Sequence, residues 1–580
     1  MPRIIKQREP LVVQLSSVHP LLSRIYSARS VVSADDLDCS ASQLLSPQTL
    51  KGIDAGASLL ADAVCEQKKV IIVADFDADG ATSCALSILA LRAMGLADVD
   101  FLVPNRFEYG YGLTPEIVEV AKEFKPDLIM TVDNGISSVD GVQLARDSQI
   151  DVLVTDHHLP GKTLPNANAI VNPNQPGCDF PSKNLAGVGV AFYVLSQVRA
   201  KLRQRDWFAN QNITEPNLAQ FLDIVALGTV ADVVPLDANN RRLVHQGIQR
   251  IRKGVARPGI LALLEVAKRS HHSVVAADLG FAVGPRLNAA GRLDDMSVGI
   301  RCLLTDDPFE AKEIAEELDG LNQDRRLIER GMQDEAEQVL LGMSLNEKEI
   351  PYGLCLYDGL WHQGVIGILA SRIKDKFHRP VIAFANSAND ENGDSGEVKG
   401  SARSVAGVHI RDVLDAIASQ HSDILYKFGG HAMAAGLSLK REHLDQFKAL
   451  FDIEVRKHLS AEDLTQVLWS DGELEPEDFN LATAGILRNG GPWGQLFPEP
   501  AFNGVFNLVQ QRIVGQNHLK MVVAPIDNPQ QIVDAIAFNV DTAQWPNSDA
   551  QAVELVYKLD INEFRGIKSV QLLVDSVEAV

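Results

Sequence analysis

Apolar runs and polar breaks alternate along the first third of the chain in a repeating order. Residues 69–75, KVIIVAD, form a β-branched run that ends in acid, and the following TSCALSILALRAMG has helical periodicity that Gly95 stops. The pattern predicts a strand and then a helix. It recurs in DLIMTVDNG (127–135), an apolar strand ending in Asp133, and in DVLVTDHH (151–158), which ends in one carboxylate and two imidazoles. Strands alternating with helices imply a parallel sheet, and such sheets collect ligands at the carboxyl ends of their strands. All three polar clusters fall there.

Further along, residues 306–342 are charged and helical throughout, opening on Asp307 and Pro308 as cap and first-turn signals. They predict a long helix joining two domains. A second α/β unit then starts with YGLCLYDG (352–359) and RPVIAFA (379–385), interrupted by the polar loop NSANDENGDSGEVKG (386–400). From about residue 465, short strand-like runs such as GVFNLVQQRIVG, LKMVVAP and SVQLLV alternate with turns and read as a small β-rich barrel or sandwich. The expected architecture is therefore α/β, with two α/β domains joined by a long helix and a C-terminal β-barrel. The boundaries expected are an N-terminal extension at 1–50, a first domain at 51–305, the helix at 306–345, a second domain at 346–463 and the β module at 464–580.

Composition narrows the class. A chain of 580 residues is too long for one hydrophobic core. With 46% hydrophobic and 22% charged residues it is ordinary for a globular protein, and no window approaches the ~20 apolar residues of a membrane span. The start, MPRIIKQREPLVVQLSS, lacks the apolar stretch of a signal peptide, so a cytoplasmic protein with no membrane partner is expected. Six scattered cysteines without a CxxC pair read as reduced thiols. Lys plus Arg at 54 against Asp plus Glu at 76 gives a net charge of −22, which argues against indiscriminate binding to phosphate backbones. A local groove can still be basic, and carboxylates that bind metal ions add to the negative count.

The first strand continues as ADFDADG, with Asp75, Asp77 and Asp79 two residues apart. In an extended chain these share one face and converge. Like charges so placed repel unless cations neutralise them, and a pair of divalent ions bridged by a shared carboxylate would do so while clamping both oxygens of a phosphoryl displacement. A solvated acidic turn is the plainer alternative. Asp133 in VDNG, taken alone, is ordinary turn chemistry. His157 and His158, adjacent in an extended segment, should point to opposite sides, so that one ligates a metal and the other does something else, such as contacting phosphate; two histidines capping a strand are the alternative. Asp232 follows a run of Ala, Gly and Val in IVALGTVADVVPL, where a cation partner or a helix cap would account for it.

These four clusters, in this order, resemble the motifs of the DHH phosphoesterase family, whose members are two-domain, two-metal hydrolases of phosphodiester or phosphoanhydride bonds. The resemblance implies manganese or magnesium ligands at Asp77, Asp79, Asp133, His157 and Asp232, with Asp75 as a further candidate. It places His158 against the scissile phosphate and Asp156 behind the histidines, orienting them, so that His158, Asp133 and Asp156 form the catalytic set. Phosphatase branches of the family carry a histidine where this chain has Val73, so the first metal is completed here by Asp75 or by water. FGGHAMAAG (428–436) resembles the signature of the DHH-associated domain, with Gly429, Gly430 and His431 at a phosphate, and GSARS (400–404) resembles its substrate loop, with Ser401, Arg403 and Ser404 nearby.

NRFEYGYGL (105–113), GPRLNAAGRL (284–293) and LWHQGVIGILASRI (360–373), together with the length and the terminal β module, resemble the family's branch of single-strand-specific DNA exonucleases that digest from the 5′ end. That branch implies an oligonucleotide-binding fold at the C-terminus, in which Phe502, Phe506 and Phe538 are as fit for the core as for base stacking. It implies a single strand threaded between the two α/β domains, gripped by Arg286, Asn288 and Arg292 with Ser401, Arg403 and His431. It further implies work in recombination and repair beside a single-strand-binding protein and a helicase; a monomer is expected. The alternatives are a phosphodiesterase or pyrophosphatase acting on short oligonucleotides or small phosphoanhydrides, and a scaffold of the same fold without catalysis.

Overall fold

The structure is a computed structural model that describes residues 3–11, 15, 18–104, 111–345, 350–387, 396–430, 432–460 and 462–580. In the first α/β unit, five parallel strands run in the order Val99–Leu102, Val70–Ala74, Leu128–Val132, Asp151–Thr155, Ala169–Val171. The three central strands are apolar on both faces because both faces are covered, as parallel sheets require. Val70, Ile72, Met130 and Leu153 pack into one core, and Ile71, Val73, Ile129 and Val152 pack into another with Ile117, Val118 and Val142 of the helices Pro115–Glu123 and Val139–Asp147.

Register does the positioning. Ala74 pairs with Val132, and Val132 pairs with Thr155. The residue just past each strand is Asp75, Asp133 or Asp156, so three carboxylates leave the sheet side by side.

The connecting helix, Pro308–Leu345, is held at its start by Asp307, whose Oδ1 accepts from the Phe309 amide at 2.9 Å. Its two halves belong to two cores: Ala311, Ala315 and Leu318 pack with the first α/β unit, Met332, Ala336 and Leu340 with the second. Arg372 on the helix Ile366–Phe377 donates to Glu329 at 2.9 Å, and the Trp361 indole donates to Glu335 at 2.8 Å, fixing the second unit on this rod.

The second sheet is mixed, in the order Leu425–Gly430, Ala434–Lys440, Glu397–Arg403, Val381–Asn386, Leu354–Tyr357. The supposed substrate loop GSARS lies largely in the central strand Glu397–Arg403, whose alternating burial matches a strand between two others.

Phe502–Val514, His518–Pro525, Val533–Ala537, Ala552–Phe564 and Ile567–Ala579 close into a barrel. Phe502 and Phe506 are fully buried in it, whereas Phe538 is exposed. The N-terminal segment packs against this end of the chain: Arg3–Gln7 pairs in parallel with Gln466–Ser470, and Arg29 meets Asp471 through two hydrogen bonds of 2.8 and 2.9 Å. No helix among the described residues is long and apolar enough to cross a membrane.

Candidate metal centre

Asp75 is the first residue past the strand Val70–Ala74, but the chain does not stay extended beyond it. Asp77 caps the helix Ala78–Ala93, its Oδ1 accepting from the amides of Asp79 and Gly80 at 2.9 and 3.0 Å, and Asp79 lies in the first helical turn. The expected common face of Asp75, Asp77 and Asp79 is therefore replaced by a division. Asp75 and Asp77 group with Asp133, while Asp79 groups with His157 and Asp232; in each set one ligand atom per residue lies within 4.8 Å of the others.

The histidines also differ from expectation. The strand ends at Thr155, so the alternation argument does not reach His157 and His158, and their rings stand 4.5 Å apart on the same side. Both group with Asp133, which thereby belongs both to this group and to the one with Asp75 and Asp77. His157 Nε2 lies 3.1 Å from Asp133 and 3.4 Å from Asp232; His158 Nδ1 lies 2.8 Å from Asp156. Asp156 is buried, and its oxygens accept from the amides of His157, His158 and Ile136 at 2.7 to 3.0 Å. It holds the histidine pair from behind.

Asp133 has a left-handed backbone (φ 62°), a conformation Asp tolerates better than most residues, which turns its carboxylate into the cluster. Asp232 ends the helix Leu222–Ala231, where the dipole disfavours a carboxylate, so cap duty does not explain it. Val73 is buried among apolar side chains on one face of the sheet and offers the site only its carbonyl, which accepts from Asn134 at 3.1 Å.

Electrostatics show what the cluster lacks. Burial, then the charge of Asp232, pushes Asp79 up to about 7; burial, then Asp77, pushes Asp232 up to about 8; burial and the neighbouring carboxylates push Asp133 well above the usual range. Burial and the charge of His158 lower His157, keeping it neutral with a lone pair to give. Burial opposes protonation of His158, but the hydrogen bond and charge of Asp156 raise it to about 9. Asp133 Oδ1 and His157 Nε2 face each other at 3.1 Å, buried and without a hydrogen-bond partner. Repelling carboxylates around a neutral imidazole, with two facing donor atoms unsatisfied, fit divalent cations held by oxygen and nitrogen.

Several supporting groups carry no motif in the sequence. The amides of Gly187 and Val188, opening the helix Gly187–Gln204, donate to Asp79 at 2.6 and 2.9 Å. A Cβ on Gly187 would stand 2.7 Å from the Asp133 side chain, and one on Gly228 would stand 2.9 Å from Asp79 Oδ1. The sequence signal was available in AGVGVAF, glycines opening a helical run. Tyr111 also reaches the site, its hydroxyl 3.3 Å from the His158 ring and 3.3 Å from the carbonyl oxygen of Asp133. Tyr111 comes from NRFEYGYGL, of which residues 105–110 lie outside the described residues.

The expected phosphate grips separate. Arg286 is buried, pairs with Asp319 at 2.7 Å and donates to the Ala282 carbonyl at 2.6 Å, which takes its guanidinium away from any strand. Asn288 Oδ1 accepts from the Ala78 amide at 2.8 Å inside the metal loop. Arg292 donates to the Gly364 carbonyl of the second unit at 3.2 Å. Ser404 is buried and bonds to the Val408 carbonyl at 2.7 Å, holding a turn instead of facing a ligand.

Ser401 and Arg403 share one strand face, Arg403 donating to Ser401 Oγ at 3.1 Å. Across the sheet Ser401 pairs with Gly436 and Gly436 with Gly429, and nothing lies within 4 Å of where either glycine's Cβ would be. The result is an open floor beside an arginine. Gly430 has φ 144°, and a Cβ there would overlap Ala434. His431 lies outside the described residues.

The chain is similar to known proteins over most of its length. Residues 69–229 match the DHH family, N-terminal domain; 351–457 match the DHHA1 domain; 470–576 match the RecJ OB domain. The chain is 56% identical over 559 residues, covering 96% of each, to the single-stranded-DNA-specific exonuclease RecJ of Dickeya dadantii. Its fold superposes on crystal structures of RecJ from Thermus thermophilus, with Mn2+ (TM-score 0.79, 28% identity, 100% of this chain and 80% of that one) and with Mg2+ (TM-score 0.72, 26% identity, 100% and 78%).

Proposed function

This chain belongs to the RecJ family of single-stranded-DNA-specific exonucleases, and we infer from that membership and its metal centre that it removes 5′-mononucleotides from single-stranded DNA, from the 5′ end, in recombination and repair. One observation carries the reading: three in-register strands deliver Asp75, Asp133 and Asp156 to one place, where Asp133 is common to two metal-competent groups. Asp75, Asp77 and Asp133 would hold one ion, Asp79, His157 and Asp232 the second, with Asp133 between them. Two Mn2+ or Mg2+ ions there would lower the pKa of a water and polarise the scissile phosphate.

The chain's own groups supply the remainder. His158, held protonated by Asp156, offers positive charge where negative charge develops on the oxygens of the scissile phosphate. Asp156 fixes both histidines. Ser401, Arg403, Gly429 and Gly430 form the floor that takes a phosphate upstream of the cut, with Arg292 between the two α/β units, and the family resemblance adds His431 as a further phosphate contact. A single strand threads between these units while a duplex is too wide. A single-strand-binding protein and a helicase are the proposed partners, the monomer is the proposed form, and the cytoplasm is the proposed place of action.

The test is digestion of a single-stranded oligonucleotide labelled at either end, beside its duplex form, with manganese or magnesium and with an Asp133→Ala variant. Mononucleotides should appear from the 5′ end of the single strand only and disappear in the variant. Hydrolysis of pyrophosphate or dinucleotides without digestion of the long strand would transfer the same centre to a small substrate.

A further inference from the structure

The helix Gly284–Leu293 carries the stretch GPRLNAAGRL, yet its polar groups turn toward the metal loop and the neighbouring domain. Asn288 Oδ1 accepts from the Ala78 amide at 2.8 Å, and Ala78 sits between Asp77 and Asp79. One turn on, Gly291 lies so close to the Phe76 carbonyl that a Cβ would overlap it, which pins the loop between Asp75 and Asp77. At the start of the same helix, a Cβ on Gly284 would stand 3.1 Å from Ala231, the residue before Asp232. One helix therefore touches two of the segments that bring carboxylates to the centre, 75–79 and the one that ends at Asp232.

That helix is itself fixed from outside. Arg286 joins it to Asp319 of the connecting helix, and Arg292 joins it to the Gly364 carbonyl of the second unit. Between the end of the strand at Ala74 and the start of the helix at Ala78, Asp75, Phe76 and Asp77 follow no repeating backbone pattern, so contacts from other elements shape their course.

We propose that Asn288 is a positioning residue for the two-metal centre, its side-chain oxygen setting the Asp77–Asp79 loop at the spacing from Asp232 that a pair of ions requires. The proposal rests on the metal-dependent reading above, and it replaces the expectation that Asn288 grips the strand. Loss of an oriented outer group typically costs 10- to 100-fold in metal affinity or activity, because the ligands must then find their geometry at the moment of binding.

The decisive measurement is a manganese titration of the full-length protein followed by electron paramagnetic resonance without DNA, so that it is independent of the substrate assignment. Asn288→Ala should need at least tenfold more Mn2+ to reach the signature of a coupled ion pair. Asn288→Asp, which keeps the acceptor oxygen, should return to within about threefold of the wild type. On long single strands Asn288→Ala should lose kcat at least tenfold while KM stays within about twofold. Gly291→Ala, which pushes the same loop through its other contact, should shift the manganese titration in the same direction, and it carries the test should Asn288→Ala fail to fold. An Asn288→Ala protein that takes up manganese like the wild type and instead raises KM would overturn the proposal and restore a strand contact. Equal defects in the Ala and Asp variants would overturn it too.

Discussion

The Gly187 amide donates to Asp79 Oδ2 at 2.6 Å, while the same residue's missing side chain leaves room for Asp133. A helix N-terminus thus meets one carboxylate of the centre and makes space for a second, and the partial positive charge there favours the ionised form of both. Gly187→Ala places a Cβ 2.7 Å from the Asp133 side chain. It should destabilise the fold by about 1–3 kcal/mol, as overpacking does, and reduce kcat by roughly 10- to 100-fold by moving the shared carboxylate. Denaturant melts and steady-state digestion measure the two effects; unchanged kcat would separate Gly187 from the chemistry.

The raised carboxylates make the metal-free protein pH-sensitive. Asp79 and Asp232, at about 7 and about 8, start from ordinary values of 3.8. As pH rises above about 4, the unfolded chain releases protons that the folded site retains, so this site's contribution to stability falls until about pH 8 and then levels. Metal-free Asp232→Asn should therefore melt above the wild type at pH 8, by a margin that shrinks toward pH 4. Manganese should raise the wild-type melting temperature more at pH 8 than at pH 5, with protons released on binding. A margin that grows toward acid would contradict the assignment.

Arg29 and Asp471 form a buried bidentate pair, each side chain 1% exposed. Arg29→Met leaves Asp471 buried with less compensation, and truncation of one partner of such a pair costs about 3–5 kcal/mol. The loss should be local: hydrogen exchange should accelerate in residues 3–11 and 466–471 while the strands of the first sheet stay protected. Uniform acceleration throughout the chain would mean that this pair stabilises the whole.

Gly436 lies beside Ser401 with nothing within 4 Å of its Cβ position. Gly436→Leu should fold with stability within about 0.5 kcal/mol of the wild type, as substitutions away from packed features do. It should raise KM for single-stranded DNA severalfold with kcat and manganese affinity unchanged. An unchanged KM would remove this floor from the strand's path.

The strand ends were legible because a β-branched run that stops at an acid has few other readings, and parallel register then places those acids together without further information. The division of ligands was not legible. It depends on Asp77 becoming a helix cap, which breaks the period-2 argument just past Asp75. The same assumption of continued extension separated His157 from His158, which share a side because the strand stops at Thr155. Arg286 was misread because a cation near a phosphate enzyme suggests a phosphate, whereas its partner Asp319 comes from a helix whose docking no local pattern encodes. Gly187 was overlooked for a related reason: its contact with Asp79 spans 108 residues.

The parallel pairing of Arg3–Gln7 with Gln466–Ser470 also governs the order in which the molecule can be completed. Arg3 and Gln466 are neighbours in the sheet, but a ribosome adding about 5–20 residues per second takes on the order of half a minute to a minute and a half to travel from one to the other. Throughout that interval the segment 3–7 is an unpaired strand edge, the kind of template on which nascent chains aggregate. Its charged residues Arg3 and Lys6, with Arg8 just beyond it, act as gatekeepers during that wait. The first sheet can fold before the clasp between the chain's distant segments closes, and the barrel strands from Phe502 onward follow.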